Sequence, residues 1–424
     1  MKRIVPTLLL VIAMTATACG SSRINSASGS GPIVIGAVYP TSGSQGQGGR
    51  DEYEGARMAV DLVNQSGGVH GRKVELRLVD TPSGDGAPAS IDKLHQQGVQ
   101  LVIGSFGSVV SAPASAAATN RGMLYWETGA VGETDPQAAA GSLFFRMSPA
   151  GANLGRSGID FAAAQLSPKL PAADHPGPLR YTVAYVNDTY GKAVGLAAID
   201  QIQRDGMTLA GTFEYDAHTA NFTDLANQIA ATKPDVLYVS AYLADGVALR
   251  KATIAAHIPL LASVGTSSSY CMDDFMKALG SGAVGLFASD KPGADEINPS
   301  ALLPEGRVKL AWARKQFTHR FHRSMEEAAL AGFANTWALV DHVLPAAGGM
   351  DPKSVAAAAL ATKLPQGTLA NGSGMDLAGS GEVDPGQNRA AASVIWEWLS
   401  PTQQAIVWPP AFANHAVELL PIAR

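Results

Sequence analysis

Cysteine is almost absent from this chain of 424 residues: only Cys19 and Cys271 occur, so no disulfide framework is encoded and stability has to come from a packed core. Charge is sparse as well. Asp, Glu, Lys and Arg make up 16% of the residues, 31 basic against 36 acidic, and no run of either sign appears. A net charge of -5 leaves no basic footprint for nucleic acid. Beyond the N-terminus no apolar stretch reaches the ~20 residues that span a bilayer, because Asp, Glu, Lys, Arg or Pro interrupts every candidate. Catalytic signatures are missing too. There is no Gly-x-Ser-x-Gly, no Gly-Lys-Ser/Thr, and the glycines at 43–49 lack the dinucleotide spacing. His319 and His322 share a helical face without a third ligand, which predicts solvated side chains and no metal site. No catalytic residue and no cofactor is therefore expected.

What is present is a long apolar complement, 46% of the residues, enough for a large core and too much chain for one. Two lobes are predicted. At the N-terminus Lys2 and Arg3 precede an apolar stretch and then small residues up to Cys19, the layout of a secretory signal. Ala16-Thr17-Ala18-Cys19 resembles the lipobox of bacterial lipoproteins, with Ala16 where that motif usually has Leu. The resemblance implies a lipoprotein signal over residues 1–19 that ends at the lipobox cysteine, with cleavage before Cys19, which is lipidated. Residues 20–31 are nearly all small or polar, a flexible linker.

From residue 33 onward, strands and helices alternate. Residues 33–39 read as a buried strand, 51–64 as a helix stopped by Gly67 and Gly68, 74–80 as a strand and 89–97 as a helix. A strand at 100–104, a helix at 108–121 and a strand at 123–126 follow. The rhythm restarts at residue 180. Strands are predicted at 181–187, 209–213, 236–240, 259–264 and 284–288, with helices at 190–204, 222–232 and 244–256 between them. Helical sequence runs over 310–346 with a break near Ser324, then over 355–362, and 394–399 with 405–408 alternate as a closing hairpin. Such alternation predicts α/β architecture with two doubly wound, Rossmann-like parallel sheets.

These segments resemble a known family. Ile35-Gly36-Ala37-Val38 with Thr41-Ser42-Gly43, Gly55-Ala56-Arg57-Met58-Ala59, the run from Val99 to Ser108, Tyr190-Gly191 and Lys233-Pro234-Asp235-Val236 occur in the order of the type I periplasmic binding proteins, specifically the branched-chain amino acid receptors of ABC importers. Gly332-Phe333-Ala334 and Trp408-Pro409-Pro410 extend the likeness more loosely. The resemblance implies a Venus-flytrap of two lobes with three hinge crossings: residues 32–148 with 291–384 in one lobe, and 149–290 with 385–424 in the other. It further implies a monomer that captures a small polar molecule, an amino acid, an amide or an organic acid. That molecule would pass to ABC permease subunits outside a membrane to which lipid on Cys19 holds the receptor. A sensor of the same fold reporting to a membrane receptor or kinase is the alternative, and an exported hydrolase a more distant one.

Open α/β sheets bind ligands beyond the carboxyl ends of their strands. On that rule the candidate loops are 41–49, 105–109, 127–131, 187–190, 241–245 and 265–269. Within them Gln47, Gly48, Gly107, Ser108, Val109, Glu127, Gly129, Ala130, Val131, Tyr190, Tyr242, Asp245, Gly265 and Thr266, with Trp126 directly before Glu127, are the candidate ligand contacts. The resemblance implies that Ser108 takes a ligand carboxylate and that Tyr190 covers the ligand from the second lobe. It also marks three departures: Val131 where the receptors use Thr, Gly265 where they use a Glu to pair the ligand ammonium, and Gly48 where an aromatic covers the ligand. An unpaired buried ammonium is costly, so either Glu127 or Asp245 has to replace that Glu, or the ligand has no ammonium. For Glu127, flanked by Trp126 as a stacking surface, the other reading is a carboxylate that caps nearby amides.

Overall fold

The computed structural model describes residues 31–132, 143–170, 177–266, 268–382 and 384–424. The leader, Cys19 and the linker up to residue 30 lie outside the described residues.

Two sheets organise the chain. The first holds β1 (Ile33–Tyr39), β2 (Val74–Asp80), β3 (Leu101–Gly104), β4 (Leu124–Glu127) and β5 (Phe144–Arg146), all parallel, in the order β2-β1-β3-β4-β5. The second holds β6 (Arg180–Val186), β7 (Thr208–Tyr215), β8 (Val236–Ser240), β9 (Ala262–Thr266) and β10 (Phe287–Asp290), extended by an antiparallel hairpin of β11 (Val394–Ser400) and β12 (Gln403–Trp408). Its order is β12-β11-β10-β9-β8-β6-β7. Strands β3, β4, β8 and β9 are buried along their whole length, as parallel strands covered on both faces must be.

Helices α1 (Gly46–Gln65), α2 (Ala87–Gln96) and α3 (Ser108–Asn120) connect the first strands of one sheet. In the other, α4 (Gly151–Phe161) leads in, and α5 (Thr189–Arg204), α6 (Phe222–Ala231), α7 (Leu243–Ala255) and α8 (Asp273–Leu279) lie between strands. After β10 the chain returns to the first lobe through α9 (Pro304–Phe321), α10 (Glu327–Trp337) and α11 (Pro352–Ala361). Helix α10 packs on α1 at backbone contact: a methyl on Gly55 would overlap the Ala329 carbonyl, and one on Gly332 the Glu52 carbonyl.

The lobes are joined where the chain leaves β5, where it leaves β10, and where it re-enters at β11. Two of these crossings are stitched together, since Gln387 Nε2 donates to the Ser148 carbonyl (2.9 Å) and Asn388 Nδ2 to the Met147 carbonyl (3.2 Å). The other carries Asp290 and Lys291, both buried, with Lys291 Nζ 3.8 Å from Asp290 and 3.4 Å from the Gly129 carbonyl.

Several elements differ from the sequence reading. Strands β9 and β10 begin three residues later than expected. Pro259 has no N–H to give a ladder, and the Gly285 amide is already spent on the Trp398 carbonyl. The helical stretch before residue 346 divides into α9, capped by left-handed His322 (φ 57°), and α10, which continues through a π-turn at Ala338–Val343. Strand β5 and helices α4 and α8 were not foreseen. Helix α4 contains three glycines, poor helix formers, and they are there for contact. A side chain on Gly155 would strike the Val194 carbonyl of α5, and one on Gly158 the Tyr238 ring.

Candidate functional site

In the first sheet the strand order reverses between β1 and β3, and in the second between β6 and β8. At each reversal the following helices leave on opposite sides of the sheet, which opens a crevice at the strand ends. Here the two crevices face each other. A cavity of about 340 Å³ lies between them, lined by Ser44, Gln45 and Val109 from the first lobe and by residues 186–188, 216–218 and 242–245 from the second. That volume is within the range of small-molecule pockets.

The two walls differ electrically. On the first-lobe side the cavity meets the N-termini of α1 and α3, where Gln45 and Gly107 occupy the cap positions without side-chain capping and neither first turn holds an acid. Their unpaired amides and the positive ends of two helix dipoles favour an anionic or carbonyl group. The second-lobe wall supplies its own carboxylates at the equivalent helix starts. Asp188 caps α5, Oδ1 accepting from the Gly191 amide at 2.7 Å. Asp245 sits in the first turn of α7, buried, its Oδ2 accepting from the Tyr215 hydroxyl at 2.7 Å. Burial pushes the Asp245 carboxyl up to about 6 against the Tyr215 hydrogen bond, and the Asp188 charge adds to the rise. Asp188 is likewise raised by burial.

Between these carboxylates stand two tyrosines with ring centroids 5.1 Å apart. Tyr190 is buried, its hydroxyl 2.7 Å from Thr266 Oγ1 and so engaged inside the second lobe. The Tyr242 hydroxyl lies against Asp188 without reaching hydrogen-bond geometry, and Gln45 Oε1 on the opposite wall is buried without a partner.

Other candidate residues fall behind this surface. Ser108 is buried, its hydroxyl accepting from the Gly132 amide at 2.9 Å. Gln45 lies where a Gly107 side chain would stand, and the Phe106 ring lies over Gly48, so an aromatic does reach this place from a neighbouring loop. Gln47 and Gly48 are thus set back from the cavity, which Ser44 and Gln45 line. Val131 is buried and gives its carbonyl to the Gly151 amide. A side chain at Gly265 would run into the Tyr270 ring, so an aromatic fills the space beside this glycine.

Glu127 takes the capping role of its two readings: Oε1 accepts from the Gly129 and Ala130 amides, both at 2.9 Å, while Oε2 accepts from the Ser111 hydroxyl. Trp126 is a correction. Its ring is packed against Phe145 in the core and its indole N–H donates to the Asn335 carbonyl at 2.9 Å, so it offers no stacking face to the cleft. Beneath the 127–132 loop, Glu52 is fully buried, its Oε1 accepting from Thr128 Oγ1 at 2.6 Å and its Oε2 pressed towards Gly129 without a partner. Gly129 and Ala130 therefore present backbone whose position two buried carboxylates fix.

The polar lining residues that the sequence reading does not name are Ser44, Gln45, Asn187, Asp188, Asp216 and His218. The first four lie in loops that the strand-end rule selected; Asp216 and His218 follow β7, whose loop is not among the candidates. A second cavity, also about 340 Å³, lies at the hinge between α8, α10 and the β11–β12 hairpin, with Cys271, Glu296, Glu326 and Glu327 in its wall. It sits away from both strand-order reversals.

Comparison with known proteins agrees with this geometry. A family model described as periplasmic binding protein matches residues 32–381. The chain belongs to the periplasmic binding protein family. Its fold is that of type I members. A Leu/Ile/Val-binding protein homolog 8 from Brucella abortus (strain 2308) is 26% identical over 370 residues, covering 86% of this chain and 88% of that protein. Among solved structures, the leucine binding protein LivK from Thermotoga maritima MSB8 superposes with a TM-score of 0.73 at 16% identity, covering 88% of this chain and 97% of that one. A solute binding protein from R. palustris in complex with benzoate gives 0.71 at 18% identity, covering 92% and 99%. LivJ from Streptococcus pneumoniae, in complex with isoleucine, gives 0.69 at 16%, covering 89% and 100%. As a periplasmic binding protein the chain is a substrate-binding protein.

The buried carboxylates set a pH dependence. Burial and the Glu127 charge push Glu52 up to about 8, and burial pushes Glu127 up to about 7 against the hydrogen bonds it accepts. Both folded-state values exceed the ordinary glutamate value of 4.5, so the folded protein holds protons that the unfolded chain releases. Stability is then greatest near or below the unfolded value and is lost as pH rises through the folded ones. The melting temperature of the empty protein should fall between about pH 6 and pH 8.5, and Glu52→Gln should flatten that fall. A melting temperature that rises over this window would contradict the assignment.

Proposed function

We propose that this protein captures a small polar molecule between its lobes, outside the membrane, and delivers it to the permease of an ABC importer. The observation that carries this reading is the pairing of walls across the cleft: two uncapped helix N-termini on one side, Asp188 and Asp245 on the other. A carboxylate or amide end fits the first wall and an ammonium the second. Asp245 supplies the acid that Gly265 lacks, whereas Glu127 has both oxygens engaged within its own lobe. The same fold holds isoleucine in one relative and benzoate in another, so the lining residues and not the fold choose the ligand. Lipidation of Cys19 would tether the receptor beside its permease.

Capture requires opening. Each lobe has its own sheet, and only the crossing segments and the cleft faces join them, so ligand should shift an open–closed equilibrium. The radius of gyration from small-angle scattering should fall when a ligand that stabilises the protein in a thermal-shift screen is added at saturation. An unchanged radius would count against capture by closure. For the anchor, intact mass of the membrane-fraction protein should show a chain that begins at a diacylated Cys19; a product without the lipid mass refutes it.

A further inference from the structure

The capture reading leaves the ligand class open, and the charge of the cleft narrows it. We propose that the ligand carries more positive than negative charge, as a basic amino acid or a related diamine or guanidino compound does, and that Asp188, Asp216 and Asp245 together select it. The inference rests on the capture reading and concerns the same cavity.

Among the described residues, three carboxylates line this cavity and no Lys or Arg does. One α-ammonium neutralises one of them. The carboxylate of an amino acid adds a negative charge that the helix N-termini of the first lobe can hold, but those partial charges do nothing for the remaining acids on the far wall. A ligand with an aliphatic tail would leave Asp188 or Asp245 enclosed beside it without a counter-charge, and an uncompensated buried carboxylate is costly. The protein compensates them only in part. Asp245 has the Tyr215 hydroxyl, Asp188 has the Gly191 amide and the Lys192 charge, and both sit at helix N-termini, yet both carboxyls are still pushed up by burial.

The neutral groups point the same way. Gln45 Oε1 is a buried acceptor without a donor on the wall opposite the acids, and Tyr242, backed by Tyr190, lines the cavity near Asp188 and Asp245, where a cation gains from an aromatic ring as well as from charge. Gln45 Oε1 and the three carboxylates are acceptors that a ligand rich in N–H groups can satisfy. Asp216, exposed at the cavity edge with Oδ1 accepting from the His218 amide at 2.8 Å, stands where the distal cationic group of an extended ligand would emerge.

The test uses the mature full-length chain. Titration calorimetry and thermal shift with arginine, lysine and ornithine are compared with leucine, isoleucine, glutamate and benzoate, and with calcium chloride alone. At least one of the three cations should bind more than about tenfold tighter than leucine. Asp245→Asn and Asp188→Asn, the latter still able to cap α5, should each weaken that ligand by about tenfold or more and narrow its lead over leucine. Asp216→Asn, at an exposed site that does not threaten folding, should weaken it by a smaller factor. Tighter binding of leucine or isoleucine, a preference unchanged in all three variants, or stabilisation by calcium alone would overturn the charge inference while capture stands. Failure of every ligand on the panel to bind would overturn both.

Discussion

The reversal of strand order within each sheet is the constraint on which the molecule depends. Where β1 and β3, or β6 and β8, send their helices to opposite faces, the backbone at the strand ends is left with free amides and an open crevice. One such crevice makes a shallow site. Two facing each other, held by three crossings, make a closed one, and the rest of the chain serves that opposition. The return of α9 to α11 to the first lobe, with α10 laid on α1 through Gly55 and Gly332, and the hairpin added to the second sheet both bring the chain back across the hinge. The hinge segments are then tied to each other by Gln387 and Asn388 and to the cleft by Lys291, whose ammonium reaches the Gly129 carbonyl.

Given this frame, the chemistry of the cleft is decided by which helix starts bear acids. Four helix N-termini converge there. Those of α1 and α3 are bare and those of α5 and α7 carry Asp188 and Asp245. Opposed helix dipoles would otherwise make both walls positive, so the acids invert one wall and give the cleft a direction. At position 265 the Tyr270 ring fills the space a side chain would need, and the carboxylate that lines the cavity from the strand end before it is Asp245.

Much of this was legible in the sequence because parallel strands are apolar runs and βα loops follow a rule. The sheets, the loops and individual residues such as Asp245, Tyr242 and Val109 follow from those two regularities. What escaped has physical reasons. Helix α4 is rich in glycine that only its contacts with α5 and Tyr238 explain. Strand β7 is an edge strand whose mixed exposure gives no apolar run, so its end is expected two residues early, and the loop after it, with Asp216, is not among the candidates. Sequence also cannot tell which way a side chain at a strand end turns. Trp126 and Glu127 are adjacent, yet the indole enters the core while the carboxylate folds back on its own loop. Ser108 has the helix-start position that an anion site needs, and the Gly132 amide that donates to its hydroxyl oxygen, a contact 24 residues away in sequence, orients that hydroxyl in a way the sequence does not announce.

The central claim is that ligand is held between the strand-order reversals of the two sheets. Amide hydrogen exchange in the presence of a saturating, stabilising ligand reads this directly, because the first amides of α1, α3, α5 and α7 lie at the proposed contact. Protection should rise together at residues 44–48 and 107–110 in one lobe and at 187–191 and 242–246 in the other. Protection confined to the hinge cavity, at residues 271–277 and 396–404, with the helix starts of the cleft unchanged, would contradict the account.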